Sequence, residues 1–575
     1  MGATTHTAHE AALERRQALM GKSGARAILT NFKVFRIAAF ACIGGVLYGY
    51  NQGMFSGILA MPSFGKHTDG YIDKPSLKGW LTAILELGAW FGALSSGILA
   101  EILSRKYGIL VVTGVFILGV IIQATSIAGG VNPILAGRFI TQVPSSSSSG
   151  IGVGGLSMIV PLYVSECAPP EVRGALVALQ QLAITFGIMI SFWIDYGCNY
   201  IGGTTVETQK DAAWLVPICL QILPAVILFV GMIWMPFSPR WLIHHDREEE
   251  ARANLASLRE LSPDHELIQL EFLEIKAQSL FEKRSIAEKF PTLQQQTAIN
   301  TIKLQFAAIK SLFESKAMFR RVVVATVTMF FQQWTGINAV LYYAPSIFSQ
   351  LGLSSNTTSL LATGVVGIVM FIATIPAVLW IDRLGRKPVL TIGAIGMALC
   401  HFIIAVILAR NIDNFDSHQS AGWAAVVMVW LFVVHFGYSW GPCAWIIIAE
   451  VWPLSTRPYG VSLGASSNWM NNFIVGQVTP DMLSGITYGT YIIFGLLTSI
   501  GAAFIWFFTP ETKRLSLEEM DIIFGSEGTA QADTERMLEI NREIGLSALL
   551  EGNLSPIPED EARSHVDEKS AELAA

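Results

Sequence analysis

Charge is scarce in this chain. Only 14% of its 575 residues are Asp, Glu, Lys or Arg, against roughly 25% in soluble domains. That shortage, beside 52% hydrophobic residues and a mean hydropathy of +0.48, excludes an ordinary water-soluble globule. Cysteine is scarce too. Cys42, Cys167, Cys198, Cys219, Cys400 and Cys443 are scattered, mostly inside apolar runs, with neither metal-ligand nor disulfide-framework spacing. The first 34 residues carry Arg15, Arg16, Lys22 and Arg26 without a long apolar core, so they read as a polar tail and not a cleaved signal. No nucleotide loop, metal cluster or nucleophile–base arrangement is present, so neither an enzyme nor a cofactor is expected. The net charge of −6 comes largely from the two ends and the middle loop, and no nucleic-acid partner is expected.

Long apolar runs are abundant. A helix needs roughly 20 mainly apolar residues to cross a bilayer. Twelve runs qualify: 35–58, 80–101, 108–128, 133–165, 175–197, 213–235, 320–350, 360–381, 388–409, 422–448, 458–478 and 487–509. They lack strand alternation, and at this length only helices satisfy the backbone in lipid. The predicted fold is an all-α membrane protein with twelve transmembrane helices in two pseudo-symmetric six-helix halves. The expected parts are a tail (1–34), a first half (35–235), a linker (236–319), a second half (320–509) and a tail (510–575). The linker reads as amphipathic helices under the bundle. Arg105 with Lys106, Arg173, and Arg383 with Arg386 and Lys387 fall on one side with the N-terminal tail, which predicts both termini and the linker cytoplasmic. Lys66, Lys74 and Lys78 on the opposite side dilute this bias without reversing it.

Motifs repeat between the halves. Glu101 and Ser104-Arg105-Lys106 recur as Asp382 and Gly385-Arg386-Lys387, Glu166 with Arg173 as Glu450 with Arg457, and Pro236…Arg240 as Pro510…Arg514. One order and an offset of about 280 residues imply two homologous halves, a transporter plan. The charged residues at these helix ends are expected to pair between the halves and latch one gate. Arg138 and Glu86 are further ions inside spans, and Glu86 is read as a packing residue. Gln332, Gln333 and Asn338 lie in one otherwise apolar span, where buried amides need partners and a polar ligand is a natural one.

GYNQGMFSG (49–57), PLYVSECAPPEVRG (161–174), FQQWTGINAVLYYAP (331–345), WIDRLGRK (380–387), WGPCAWIIIAE (440–450) and PETKRLSLEEM (510–520) together resemble the sugar porters of the major facilitator superfamily, fungal members above all. The resemblance covers about Phe35 to Met520. It implies a monosaccharide carried by alternating access in a multi-pass protein, expected in the plasma membrane, with the lipid bilayer, a sugar and in some members protons as partners. It implies binding by Gln181, Gln332, Gln333, Asn338, Trp445, Asn468 and Trp469, since amides both donate to and accept from hydroxyls and rings cover a sugar's C–H face. Gating or coupling roles fall to Asn51, Tyr342, Tyr343, Glu101, Arg105, Arg138, Glu166, Arg173, Asp382, Arg386, Glu450 and Arg457.

The chain departs from the family in several places. Asn51 stands where proton-coupled members carry Asp, and an amide cannot titrate, which favours facilitated diffusion over proton symport, with Asp195 and Glu86 the groups that could substitute. Met370 replaces a sugar-facing Asn, and Gln142–Ser149 interrupts the fourth span, through a misassigned exon boundary or as a bulge that impairs function. Ser104, Ile102, Leu215 and Phe237 each remove a charge or turn residue of the gating motifs. A sugar sensor is the rival class, and the short tail 510–575 disfavours it.

Overall fold

The computed structural model describes residues 31–141, 153–170, 172–291, 298–353, 355–412, 415, 418–453, 455–513, 517–525 and 529–550. Among them the only regular structure is helical, and each expected span is met by helix. The first half holds Phe32–Ala41 with Ile43–Ile58, Pro75–Leu103, Arg105–Ala124, Val131–Ile140 with Val153–Cys167, Arg173–Cys198, and Ala212–Leu220 with Ile222–Met232. The second half holds Lys316–Trp334 with Ile337–Gln350, Asn356–Leu384, Arg386–Asn411, Gln419–Tyr438 with Trp440–Glu450, Arg457–Gly485 and Tyr488–Phe508. These are the first to twelfth spans below. Between the halves run Pro239–His244, Glu248–Arg259, Glu266–Lys289 and Ala298–Ser311. The Gln142–Ser149 stretch lies outside the described residues.

Among the described residues, eight spans are long and apolar enough to cross a membrane. The second, fourth, seventh and eleventh are not among those eight. They carry Glu86, Arg138, the Gln332–Asn338 group and Asn468, all buried. The polarity is inverted relative to a soluble protein: Ile392 is 60% exposed and Phe507 76%, while Arg138 is 1% exposed. Water cannot satisfy a polar group at membrane depth, so the polar helices turn their functional groups toward one another.

A glycine seam fixes the first span against the fifth. Gly45, Gly49, Gly53 and Gly57 recur every four residues and therefore share one helix face. A Cβ at Gly49 would lie 1.9 Å from the Ile184 carbonyl oxygen, and one at Gly53 2.2 Å from Ser191 Oγ. Backbones this close gain dispersion contacts that lipid cannot replace.

The turns joining the second to the third span and the eighth to the ninth are equivalent, and both need a positive φ. Gly385 adopts +85° without steric cost, and Ser104 adopts +85° against the Cβ penalty. Ser104 compensates in part by accepting a hydrogen bond from the Tyr107 N–H at 3.2 Å. Replacing a serine cap by glycine costs only a few tenths of a kcal/mol, and relief of the backbone is worth about 1 kcal/mol or more. Ser104→Gly is therefore expected to raise the melting temperature of the detergent-solubilised protein; an unchanged or lower value would refute the strained turn.

Candidate functional site

The seventh span breaks in its middle. Lys316–Trp334 ends at Thr335, Gly336 takes φ +88°, and the helix restarts at Ile337. The break is held from both sides: Thr335 Oγ1 donates to the Gln332 carbonyl at 2.7 Å, and His401 Nε2 lies 2.8 Å from the Thr335 carbonyl. Gln332 and Gln333 thus end one half-helix and Asn338 begins the next. The tenth span breaks at Ser439, whose Oγ donates to the His435 carbonyl, and the Trp440 and Gly441 carbonyls lie in the first turn of the half-helix that follows. Gln332 Nε2 donates to both, at 2.8 and 3.3 Å. Broken backbone at membrane depth is tolerated because side-chain amides satisfy it.

From this break a chain of polar contacts crosses between the halves. Asn468 Nδ2 donates to Gln332 Oε1. Asn338 Nδ2 donates to Gln333 Oε1 at 2.5 Å. Gln52 Nε2, from the first half, donates to Asn338 Oδ1 at 3.0 Å and reaches Tyr342 OH at 3.2 Å. Tyr342 OH donates to Glu86 Oε1 at 2.6 Å, and Asn472 Nδ2 donates to Glu86 Oε2 at 2.9 Å. All of these residues are at least nine-tenths buried. At the end of the bundle away from the linker, further contacts join the halves. Lys78 Nζ donates to Ser346 Oγ at 2.9 Å, Gln477 Nε2 to the Ser76 carbonyl at 3.0 Å and Asn356 Nδ2 to Asn199 Oδ1 at 3.3 Å. That end is shut.

The structure brings together Gln332, Gln333, Asn338, Asn468 and Tyr342 from the expected set. Tyr343 lies beside them and donates to the Gly476 carbonyl at 2.6 Å. Trp469 is buried with its ring centre 5.6 Å from that of Tyr48 in an edge-on contact, and its Nε1 has no partner among the described residues. Trp445 and Gln181 are half-buried. Asn51 points away from the cluster, donating from Nδ2 to Gln221 Oε1 of the sixth span at 2.9 Å. Sequence reasoning missed Gln52 and Asn472; Glu86, read as a packing residue, joins helices across the two halves. Asn472 was legible, since it lies one turn beyond Asn468. Gln52 was not, because adjacent helical residues differ in direction by about 100° and Asn51 drew the attention.

Among the described residues, the ion pairs at the charged helix ends lie within each half; the expected pairing between halves belongs to the state that is open at the other end. Arg105 Nε meets Glu166 at 2.9 Å, and its Nη1 meets Glu101 at 3.2 Å. Arg386 Nη2 meets Glu450 at 3.0 Å. Arg173 and Arg457 both approach a carbonyl five residues earlier, Ala168 at 3.4 Å and Trp452 at 3.5 Å. The physical reason is reach: each Arg–Glu pair starts from neighbouring helices of one repeat, and both repeats fold alike. The side chain of Asp382 lies outside the described residues. One departure has a visible consequence. Glu511 accepts from the Arg386 and Lys387 N–H groups at 2.9 and 3.1 Å, capping the ninth span. Its counterpart Phe237 cannot accept, and it stacks with Lys106 Nζ 4.9 Å from its ring centre.

Linker helices complete the clamp on the first half. Ser238 Oγ donates to Glu166 Oε2 at 2.5 Å, and Trp241 Nε1 donates to the Glu101 carbonyl at 3.0 Å. His244 Nε2 lies 3.3 Å from Glu101 Oε1; burial pulls the His244 pKa down, opposed by that carboxylate. Breaking a buried ion pair by removing one partner costs about 3–5 kcal/mol. Arg105→Ala is accordingly expected to lower the yield of monodisperse protein and its melting temperature, and Arg105→Lys to recover part of both. Equal stability of Arg105→Ala and the parent would show the clamp to be idle.

Comparison with known proteins agrees with this architecture. The family described as Sugar (and other) transporter matches residues 37–524. The "MFS-type transporter qa-x" of Neurospora crassa is 33% identical over 523 residues, covering 89% of this chain and 92% of the relative. The "Quinate permease" of Neurospora africana is 34% identical over the same shares. Among solved structures, the proton:xylose symporter XylE bound to 6-bromo-6-deoxy-D-glucose is 26% identical with a TM-score of 0.66, covering 85% of this chain and 99% of that one. The inward open conformation of XylE from E. coli is 25% identical, with a TM-score of 0.66 and the same coverage.

Proposed function

The chain belongs to the sugar (and other) transporter family, and on that premise we propose that it carries a monosaccharide through the membrane by alternating access, down its gradient. The observation that carries the reading is the amide cluster Gln332, Gln333, Asn338 and Asn468, contiguous across two broken helices and joined to Gln52 of the opposite half. Each amide both donates and accepts, as a sugar hydroxyl does, so ligand hydroxyls can replace amide–amide bonds one for one. Such an exchange is nearly neutral bond for bond, which suits a carrier that must also release its cargo. Trp469 and Trp445 supply rings for the C–H face of a pyranose, with Gln181 a further amide on the fifth span. Asn51 is neutral and bonded inside its own half, which supports uniport over proton symport. In this reading the protein sits in the plasma membrane with both termini and the linker in the cytoplasm, and the end closed by Lys78 and Ser346 faces outward.

A second reading is a polyhydroxylated ring acid. It is favoured by the relatives named quinate permease, quinate being a hydroxylated cyclohexane carboxylate, and by Arg138, whose buried Nε and Nη1 have no hydrogen-bond partner. Uptake of radiolabelled glucose, xylose and quinate by transporter-null cells separates the two. Glucose or xylose uptake that survives a protonophore is the expected outcome. Quinate uptake alone moves the second reading ahead, and no uptake of any solute by protein that reaches the membrane overturns both. In the same cells Asn338→Ala, which removes the amide between Gln52 and Gln333, is expected to raise KM about tenfold, the equivalent of one to two hydrogen bonds. An unchanged KM would place the cargo elsewhere.

A further inference from the structure

Glu86 is the one carboxylate in the polar chain that joins the halves, and the proposed uniport makes no use of it. It sits inside the second span at 1% exposure. Both of its oxygens are held by the opposite half: Oε1 by Tyr342 at 2.6 Å and Oε2 by Asn472 at 2.9 Å. The titratable groups within electrostatic reach from the elements packed around it are Tyr48 of the first span, Arg138 of the fourth and Tyr342 of the seventh. Arg138 is 1% exposed, its Nη2 donates to the Thr82 carbonyl at 3.1 Å, and its guanidinium lies 3.7 Å from the centre of the Phe55 ring. Nε and Nη1 are unpartnered, so this buried cation depends on the charge of Glu86 for compensation.

We propose that Glu86 is a proton-sensitive latch on the gate at the end away from the linker: ionised, it holds the two halves shut, and protonated, it releases them. The step is a simple proton transfer: a carboxylate oxygen takes a proton from water that reaches it when the gate breathes, and returns it to water later. The ionised form makes two charge-assisted hydrogen bonds across the interface, about twice as strong as neutral ones. Protonation turns both into neutral contacts and leaves Arg138 facing no charge in a dry interior. The loss of the two charge-assisted bonds falls on the closed state alone, because Tyr342 and Asn472 leave with the other half when the gate opens, whereas Arg138 stays with Glu86 in the first half. Thermodynamic linkage then requires that protons favour the open gate.

The latch is also wired to the cargo site. Tyr342 is shared between Glu86 and Gln52, and Gln52 is shared between Tyr342 and Asn338. A ligand that takes Asn338 withdraws Gln52 from Tyr342 and alters the donor set at Glu86. This part rests on the transport reading; the latch itself does not.

The test therefore needs a readout that requires no solute. In a background with Cys198→Ser and Cys219→Ser, Thr82→Cys places a thiol one turn beyond Glu86 toward the closed end, at a position now 2% exposed. Its labelling by a membrane-impermeant maleimide is compared with and without Glu86→Gln, which mimics the protonated acid, so that the thiol's own pH dependence cancels. At about pH 7.5 Glu86→Gln is expected to label about tenfold faster than the parent, and at about pH 4.5, near the ordinary glutamate pKa, the ratio should be smaller. Tyr342→Phe removes one cross-half donor and leaves the carboxylate in place, and it too should speed labelling at the higher pH. A rate ratio that is the same at both pH values, or no effect of Tyr342→Phe, overturns the latch. Labelling that behaves as expected in protein that moves none of the sugars or quinate would uphold the latch and refute the solute reading.

Discussion

Everything in this structure follows from the cost of leaving a polar group unpaired where water cannot reach it. Gln332, Asn338, Asn468, Asn472 and Glu86 all lie at membrane depth with at most a twentieth of their surface exposed. They persist because each is a partner of another. The same cost decides which helices surround the passage. The apolar spans can present whole faces to lipid, and the second, fourth, seventh and eleventh turn their polar groups inward. The seventh and tenth spans break beside that cluster, where Gln332 donates to the Trp440 and Gly441 carbonyls.

The two halves are rigid for a different reason. Within the first half, glycines at every fourth position let the first span meet the fifth at backbone distance. At the linker end, Arg105 binds two carboxylates while Ser238 fixes one of them from outside the bundle. The second half repeats the plan with Arg386, Glu450 and Glu511. Buried ion pairs hold within each half, whereas the halves meet through hydrogen bonds and close helix packing, as where a Cβ at Gly79 would lie 2.3 Å from the Gln477 carbonyl oxygen. This division of strengths suits rigid bodies that rock about a shared cluster.

The cluster itself balances satisfaction against availability. Amides bonded to one another lose little when hydroxyls replace their partners, so a ligand can enter without a large penalty and depart without a trap. Tyr342 stands where cargo amides and gate carboxylate meet. That placement connects occupation of the site to the state of the gate through three consecutive hydrogen bonds.

Sequence alone determined the membrane class, the helical fold, the repeat and the family, because these rest on run length, charge scarcity and motif order along the chain. It also picked out Gln332, Gln333, Asn338, Asn468 and Tyr342, since amides and a tyrosine inside apolar spans are conspicuous. It passed over Gln52 and Asn472, and it did not show that Glu86 joins the two halves or that Arg105 and Arg386 pair within their own. Helical spacing fixes the face a side chain occupies on its own helix, but not which distant helix that face will meet. Glu86 meets Asn472, 386 positions away, whereas Arg105 meets Glu166 only 61 away and in its own half. Those choices depend on how whole helices pack, and only the tertiary structure made them.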